Sequence, residues 1–305
     1  MVDEPIIKAA SHRSTNDLIF TLITDRISPN SRILDFGAGL GHMCQRIGRH
    51  FENLNKDPRE HLVACEVVPE IFQYRKIECR RIGVDSVIPF EDDSFDLIYA
   101  IEVLEHASRP YDFFTQAYSK LKKSGYLIFS VPNLLNLYSR FSFLLTGFAD
   151  MFGPPSTLEK NAGRICGHIM PLNLSNFTYG LKKAGFVNIQ FYRDRVKRSA
   201  LILLLIFYPA LRLGTILYDR KLRRYDKEVW HENRRVVHEI NRLDVLTSRS
   251  CIMVARKPDI KQIRLNDSWR DQGEGQTLGW EDKKWSGRLD LNQRLPRPER
   301  GALPD

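Results

Sequence analysis

Cysteine is scarce in this chain and never closely paired. Five of the 305 residues are cysteine (Cys44, Cys65, Cys79, Cys166 and Cys251), with no CxxC spacing. An odd, scattered set argues against a disulfide framework and for a reducing compartment. An apolar leader is missing as well. Met1-Val2-Asp3-Glu4-Pro5 carries acids and no hydrophobic stretch, which does not read as a secretory signal. No internal repeat is visible. Acidic excess is absent: 46 Lys and Arg face 37 Asp and Glu, and much of the +9 surplus falls in 193–224 and the last fifty residues. A basic surface suits nucleic acid, an anionic membrane or an acidic substrate, and composition does not choose among them. What is plentiful is apolar residue, 43% of the chain, enough to bury a globular core.

From residue 11 to about 132, short apolar runs alternate with longer helical patterns. Ser11–Ile27 reads as an opening helix within a segment 1–29. Strands are expected at Arg32–Phe36, His61–Glu66, Val84–Ile88, Phe95–Ala100 and Tyr126–Val131. Helices fall between them at Leu40–Phe51, Pro69–Arg81 and Tyr111–Lys122. Such alternation predicts an α/β fold, a doubly wound and mostly parallel sheet with helices on both faces. After Pro132 the rhythm breaks. An insertion, 133–170, precedes a helix Leu174–Ala184 capped by Gly185 and a strand Phe186–Tyr192. A second insertion, 193–248, precedes a last strand, Cys251–Ala255. The main domain is thus 30–258. Residues 259–305 are polar, rich in Arg, Asp, Gly and Pro, and read as a disordered tail.

The first strand ends in Ile33-Leu34-Asp35-Phe36-Gly37-Ala38-Gly39-Leu40-Gly41. A strand, a glycine turn and a helix make a nucleotide-type binding loop, because glycine bends tightly and lets backbone approach a ligand. Dinucleotide enzymes favour GxGxxG. Here the pattern is GxGxG, with an acid two residues before the first glycine, which suits a cationic ligand better than a phosphate. A plain strand–helix turn is the bland alternative.

LDFGAGLG resembles motif I of the class I S-adenosylmethionine (SAM) methyltransferases. Ile88-Pro89-Phe90 with Ser94-Phe95-Asp96-Leu97-Ile98 is similar to a further stretch of that family. The resemblance spans about 30–192 and 249–257. It implies a Rossmann-like sheet of seven strands with the last one antiparallel. It also implies SAM as cofactor, bordered by Asp35, Gly37, Gly39 and Gly41. Glu66, at the end of the second strand, would hold the ribose hydroxyls, since a carboxylate accepts two hydroxyl hydrogen bonds. Asp85 would lie near the adenine, and Ile101 is placed beside the cofactor with them.

The fourth strand runs into Glu102-Val103-Leu104-Glu105-His106. If the chain turns helically there, Glu102, Glu105 and His106 share one face. Two carboxylates and an imidazole could gather a divalent metal at the carboxyl end of a central strand, where ligands of open α/β sheets bind. Helix-start decoration is the bland reading. The cluster resembles the ubiquinone-type O-methyltransferases and the small-RNA 2′-O-methyltransferases. Carried over from the latter, the metal ligands would be Glu102, Glu105, His106 and His168, holding magnesium or zinc. Without a metal, His106 or His168 would act as the base.

Leu134, Tyr138, Phe141, Leu145, Phe148 and Phe152 recur at helical steps in the first insertion, predicting an amphipathic lid helix. In the second insertion, Ala200–Leu211 is a run of twelve apolar residues, short of the ~20 of a straight span. Pro209 and Arg212 argue further against a conventional transmembrane helix. Basic flanks (Arg193, Arg195, Lys197, Arg198; Arg220, Lys221, Arg223, Arg224) suit an anionic membrane face, so a monotopic dip or hairpin is expected. A buried helix or dimer interface is the competing reading. The sequence therefore predicts a SAM-dependent O-methyltransferase acting on a small or lipid-linked hydroxyl acceptor, peripheral or monotopic at the cytoplasmic membrane face. The alternatives are an RNA 2′-O-methyltransferase, disfavoured because no RNA-binding module is recognisable, and a non-catalytic membrane scaffold. Oligomeric state is left open.

Overall fold

Strands and helices alternate as the apolar pattern requires. The computed structural model describes residues 5–83, 87–161 and 164–259. α1 (Arg13–Thr24) leads to β1 (Ile33–Phe36), α2 (His42–Asn53), the single turn α3 (Pro58–His61), β2 (Leu62–Glu66) and β3 (Cys79–Arg81). β4 (Phe95–Ile101), α4 (Pro110–Lys120) and β5 (Leu121–Pro132) come next. α5 (Leu137–Thr146), α6 (Leu174–Ala184) and β6 (Val187–Tyr192) follow. Three consecutive helices, α7 (Arg198–Tyr225), α8 (Lys227–Glu239) and α9 (Leu243–Thr247), precede β7 (Ser250–Arg256).

The seven strands lie in the order β3-β2-β1-β4-β5-β7-β6. β1 to β5 are parallel, and β7 runs antiparallel to both neighbours. This is the expected Rossmann-like sheet with a reversed last strand. Its order switches between β1 and β4, so the ligand crevice lies at their carboxyl ends. Both faces are covered, as alternate residues of β4 show. Leu97 and Tyr99 pack with Ile19, Ile47 and Phe51, under α1 and α2. Ile98 and Ala100 pack with Phe113, Phe114 and Phe177, under α4 and α6.

The expected helix at Pro69–Arg81 does not form. A short 3-10 turn, Pro69–Ile71, gives way to extended chain and then to β3, paired with β2. Phe72 and Tyr74 are both buried while Gln73 between them is exposed. Residues two apart point in opposed directions on a helix but share a side of an extended chain, so burying both selects the extended form. β3 therefore lies earlier than the expected Val84–Ile88. Val87 and Ile88 are irregular, and Asp85 is outside the described residues. So are residues 260–305, on which nearly all of the expected tail falls.

Both insertions depart from expectation. α5 stops at Thr146, because Gly147 takes a left-handed φ of 76° at its end. Phe152 is therefore buried by a loop and not by the helix. The second insertion holds no hairpin within its apolar run. α7 continues through Pro209 for 28 residues. Proline removes one backbone donor, at a cost of about 3 kcal/mol, but leucine, isoleucine, alanine and arginine on either side are strong enough helix formers to carry the helix on.

Candidate active site

All three loop glycines have left-handed φ, 77° at Gly37, 52° at Gly39 and 89° at Gly41. A Cβ on Gly37 would sit 2.5 Å from Val103 Cγ2, whereas one on Gly39 would meet nothing within 4 Å. Gly39 thus presents bare backbone to open space. Glu66, ending β2, accepts from Gly39 N–H at 2.7 Å through one oxygen and from Val67 N–H at 2.7 Å through the other. Asp35 points inward. One of its oxygens accepts from the Tyr99 hydroxyl at 2.7 Å and the Cys44 thiol at 3.0 Å. Burial pushes its pKa up to about 7 against these two stabilising donors.

The chain leaving β4 does not turn helically. Glu102 has a φ of 54°, and the bonds that follow are His106 N–H to Val103 O and Ala107 N–H to Leu104 O. The expected common face of Glu102, Glu105 and His106 is therefore lost. Glu102 turns to β5, where its carboxylate accepts from Ser130 Oγ at 2.9 Å. Glu105 and His106 instead meet His168, which the first insertion returns to the site. Single ligand-capable atoms of these three lie within 4.8 Å of one another, and Glu102 is not in the group.

The group is built for polar business. His106 Nδ1 donates to Gly167 O at 2.9 Å, and His168 Nδ1 donates to Met151 O at 2.6 Å. A carbonyl only accepts, so both rings carry a proton on Nδ1, and a neutral ring then has its lone pair on Nε2. Glu105 is 1% exposed, and no other described residue hydrogen-bonds to either of its buried carboxylate oxygens. Burial and then the neighbouring Glu102 hold its pKa well above the ordinary carboxylate range. Burial likewise lowers the His168 pKa, which keeps that ring neutral near pH 7.

One cavity of about 1240 Å³ contains both halves of the arrangement. The glycine loop and Glu66 line it together with Ile101, Glu102, Glu105, His106 and His168. The methyltransferase-domain family matches residues 11–190 of this sequence.

The chain belongs to that family.

Curated relatives are similar over shorter stretches of this chain. A 24-methylenesterol C-methyltransferase of Arabidopsis thaliana is 25% identical over 130 residues, covering 39% of this chain and 34% of its own length. A ubiquinone biosynthesis O-methyltransferase of Maricaulis maris is 28% identical over 117 residues, covering 37% of this chain and 45% of its own length. The chain thus spans less than half the length of these two relatives. A solved SAM-dependent methyltransferase of Archaeoglobus fulgidus superposes with a TM-score of 0.45 at 16% identity, over 79% of this chain and 94% of the other.

Several residues of the candidate site escaped the sequence reading. Tyr99 faces Asp35 in register across β1 and β4, so only strand pairing reveals it. Met151 and Gly167 act through backbone carbonyls, which carry no residue-type signal. Lys8 to His12 line the cavity, because Ile7 is tied to α2 by Gln45 and His42. Arg195 and Arg249 line it from the two ends of the second insertion.

Asp35 gives a pH test. Its pKa is about 7 in the folded chain against an ordinary 3.8, so folding favours the protonated acid. That contribution is complete below about pH 4 and is lost as pH rises through about 7, a change of up to roughly 4 kcal/mol. Asp35→Asn is expected to flatten the fall in unfolding free energy between those values. Denaturant melts of both proteins across that range check it, and equal slopes would remove Asp35 as the cause.

Proposed function

We propose that this methyltransferase moves the methyl group of SAM to a hydroxyl oxygen of a small or lipid-linked acceptor. The observation that carries the reading is a desolvated carboxyl and two oriented imidazoles in the same cavity as the glycine loop. Bare backbone at Gly39, with the Glu66 carboxylate beside it, fits an adenosine-bearing ligand; both would hold its ribose side. When bound, SAM supplies a sulfonium methyl that is already electrophilic. The chain's task is then to align an acceptor and relieve it of its proton.

Aliphatic and phenolic hydroxyls are poor nucleophiles at neutral pH. Glu105, His106 and His168 answer that need. Their donor set also fits a divalent cation: one carboxylate without a protein partner and two imidazoles whose tautomer is fixed by backbone carbonyls. Two nitrogens favour zinc over magnesium. When bound there, such an ion would lower the pKa of an acceptor hydroxyl. The imidazole lone pairs either ligate or take a proton, and one nitrogen cannot do both at once. The relatives support methyl transfer but do not choose the atom, since one is named a C-methyltransferase and the other an O-methyltransferase.

The test is methyl transfer from labelled SAM to a panel of phenolic and lipid-linked hydroxyl acceptors, before and after chelation. The expected product is an ether methyl, with activity lost on chelation and restored by zinc. Label recovered only on carbon or nitrogen would overturn the oxygen assignment. Full activity in a metal-free preparation would overturn the ion.

A further inference from the structure

Two helices from separate insertions present a shared apolar surface. α7 is long and apolar enough to cross a membrane, yet only 11% of its most apolar stretch is buried. Ile202, Leu205, Ile206, Leu213 and Leu217 stand exposed at helical spacing, Leu205 by 86%. α5 packs beside it, with the Phe141 and Phe207 rings 4.5 Å apart, and exposes Phe143, Leu144 and Leu145. Soluble proteins rarely leave so much contiguous apolar surface bare.

The other flank of α7 is bound to protein. Thr215 is buried and its hydroxyl accepts from Asn241 Nδ2 at 2.7 Å. Arg140, on α5, donates to Asn241 Oδ1 and Ile240 O, both at 2.7 Å. Trp230 Nε1 donates to Asp219 at 2.8 Å. A helix held along one side by polar contacts cannot be ringed by lipid, because those groups would enter hydrocarbon. It can lie flat. Arg198, Arg212, Arg220, Lys221, Arg223 and Arg224 are exposed along it, and none of them forms an ion pair among the described residues. Apolar residues beside cations that have no carboxylate partner match the headgroup layer of an anionic bilayer.

We infer that α5 and α7 together form an in-plane docking surface for an anionic lipid bilayer. Cavity-lining residues bracket both helices: Pro132 and Met151 stand on either side of α5, and Arg195 and Arg249 on either side of the segment from α7 to α9. This deepens the lipid-linked acceptor proposed above and rests on that reading only for what the cavity receives.

The test is co-sedimentation of the full chain with phosphatidylglycerol-containing vesicles and with phosphatidylcholine vesicles, beside calorimetric SAM binding. Wild type is expected to favour the anionic vesicles. Leu145→Glu with Leu205→Glu, both at exposed sites, should weaken that partitioning roughly tenfold or more at unchanged SAM affinity. A double variant that sediments like wild type overturns the surface. Equal binding to both vesicle types overturns the anionic assignment. A wild type that ignores vesicles but is dimeric, with a monomeric variant, assigns the surface to a second copy and overturns the bilayer. Loss of SAM binding with vesicle binding intact would fall on the methyltransferase reading alone.

Discussion

Glu105→Gln is expected to lower methyl transfer by about 10²- to 10³-fold while leaving the metal-free protein as stable as wild type or more so. The two effects separate because the side chain is poorly served by the protein alone. It is 1% exposed and neither oxygen finds a donor on another described residue. Burial and the neighbouring Glu102 hold its pKa well above the ordinary carboxylate range, so without a cation the fold disfavours its charged form. Glutamine has nearly the same shape and no charge to desolvate, so the exchange costs the fold little. An unsatisfied buried group costs about 1–3 kcal/mol, and glutamine adds the chance of donating to His106 or His168. What glutamine cannot do is offer a carboxylate to a cation or to an acidified hydroxyl. Metal content, melting temperature with and without zinc, and kcat give the three readings. Unchanged metal content and kcat in the variant would make the cluster structural.

The fold was legible wherever a short apolar run or a cap marked the element. β1, β4 and α6 stand within a few residues of the sequence pattern, because a continuous apolar run or a glycine cap defines each of them. Residues 69–81 misled because a proline followed by mixed polar residues resembles a helix start. Burial of Phe72 and Tyr74 two residues apart decides otherwise, and depth is not written in residue type. α7 misled for the opposite reason: a proline and an arginine inside an apolar run look like terminators, yet neither outweighs its neighbours.

The site was legible in its residue types and less so in its partners. The sequence pointed to Glu105, His106 and His168 together. It also included Glu102 on the assumption of a helical turn, which the left-handed φ of Glu102 undoes by sending its carboxylate to Ser130. The carbonyls that orient the two imidazoles belong to Met151 and Gly167, where any residue would serve.

Gly37→Ala is expected to damage fold and chemistry together, whereas Gly39→Ala should spare the fold. Both positions pay the left-handed cost, about 1–2 kcal/mol for a residue with a Cβ. They differ in what the new methyl meets. At Gly39 there is nothing within 4 Å, so the change intrudes only on the space a ligand would use. At Gly37 the methyl falls 2.5 Å from Val103 Cγ2, and Val103 stands between Glu102 and Glu105. Relieving that clash moves the turn that carries Glu105 and His106. The glycine loop and the turn carrying Glu105 and His106 are therefore one mechanical unit at this contact. Gly37→Ala should lower the melting temperature, weaken SAM binding and reduce kcat by about a hundredfold or more, since a displacement of about 1 Å can cost that much. Val103→Ala in the same chain removes both Cγ methyls and leaves Cβ at 3.4 Å, an ordinary contact. The double variant should then recover stability and kcat beyond the sum of the single effects, by about 0.5–3 kcal/mol of coupling. Additive losses across the cycle would show that the loop and the turn do not act through this pair.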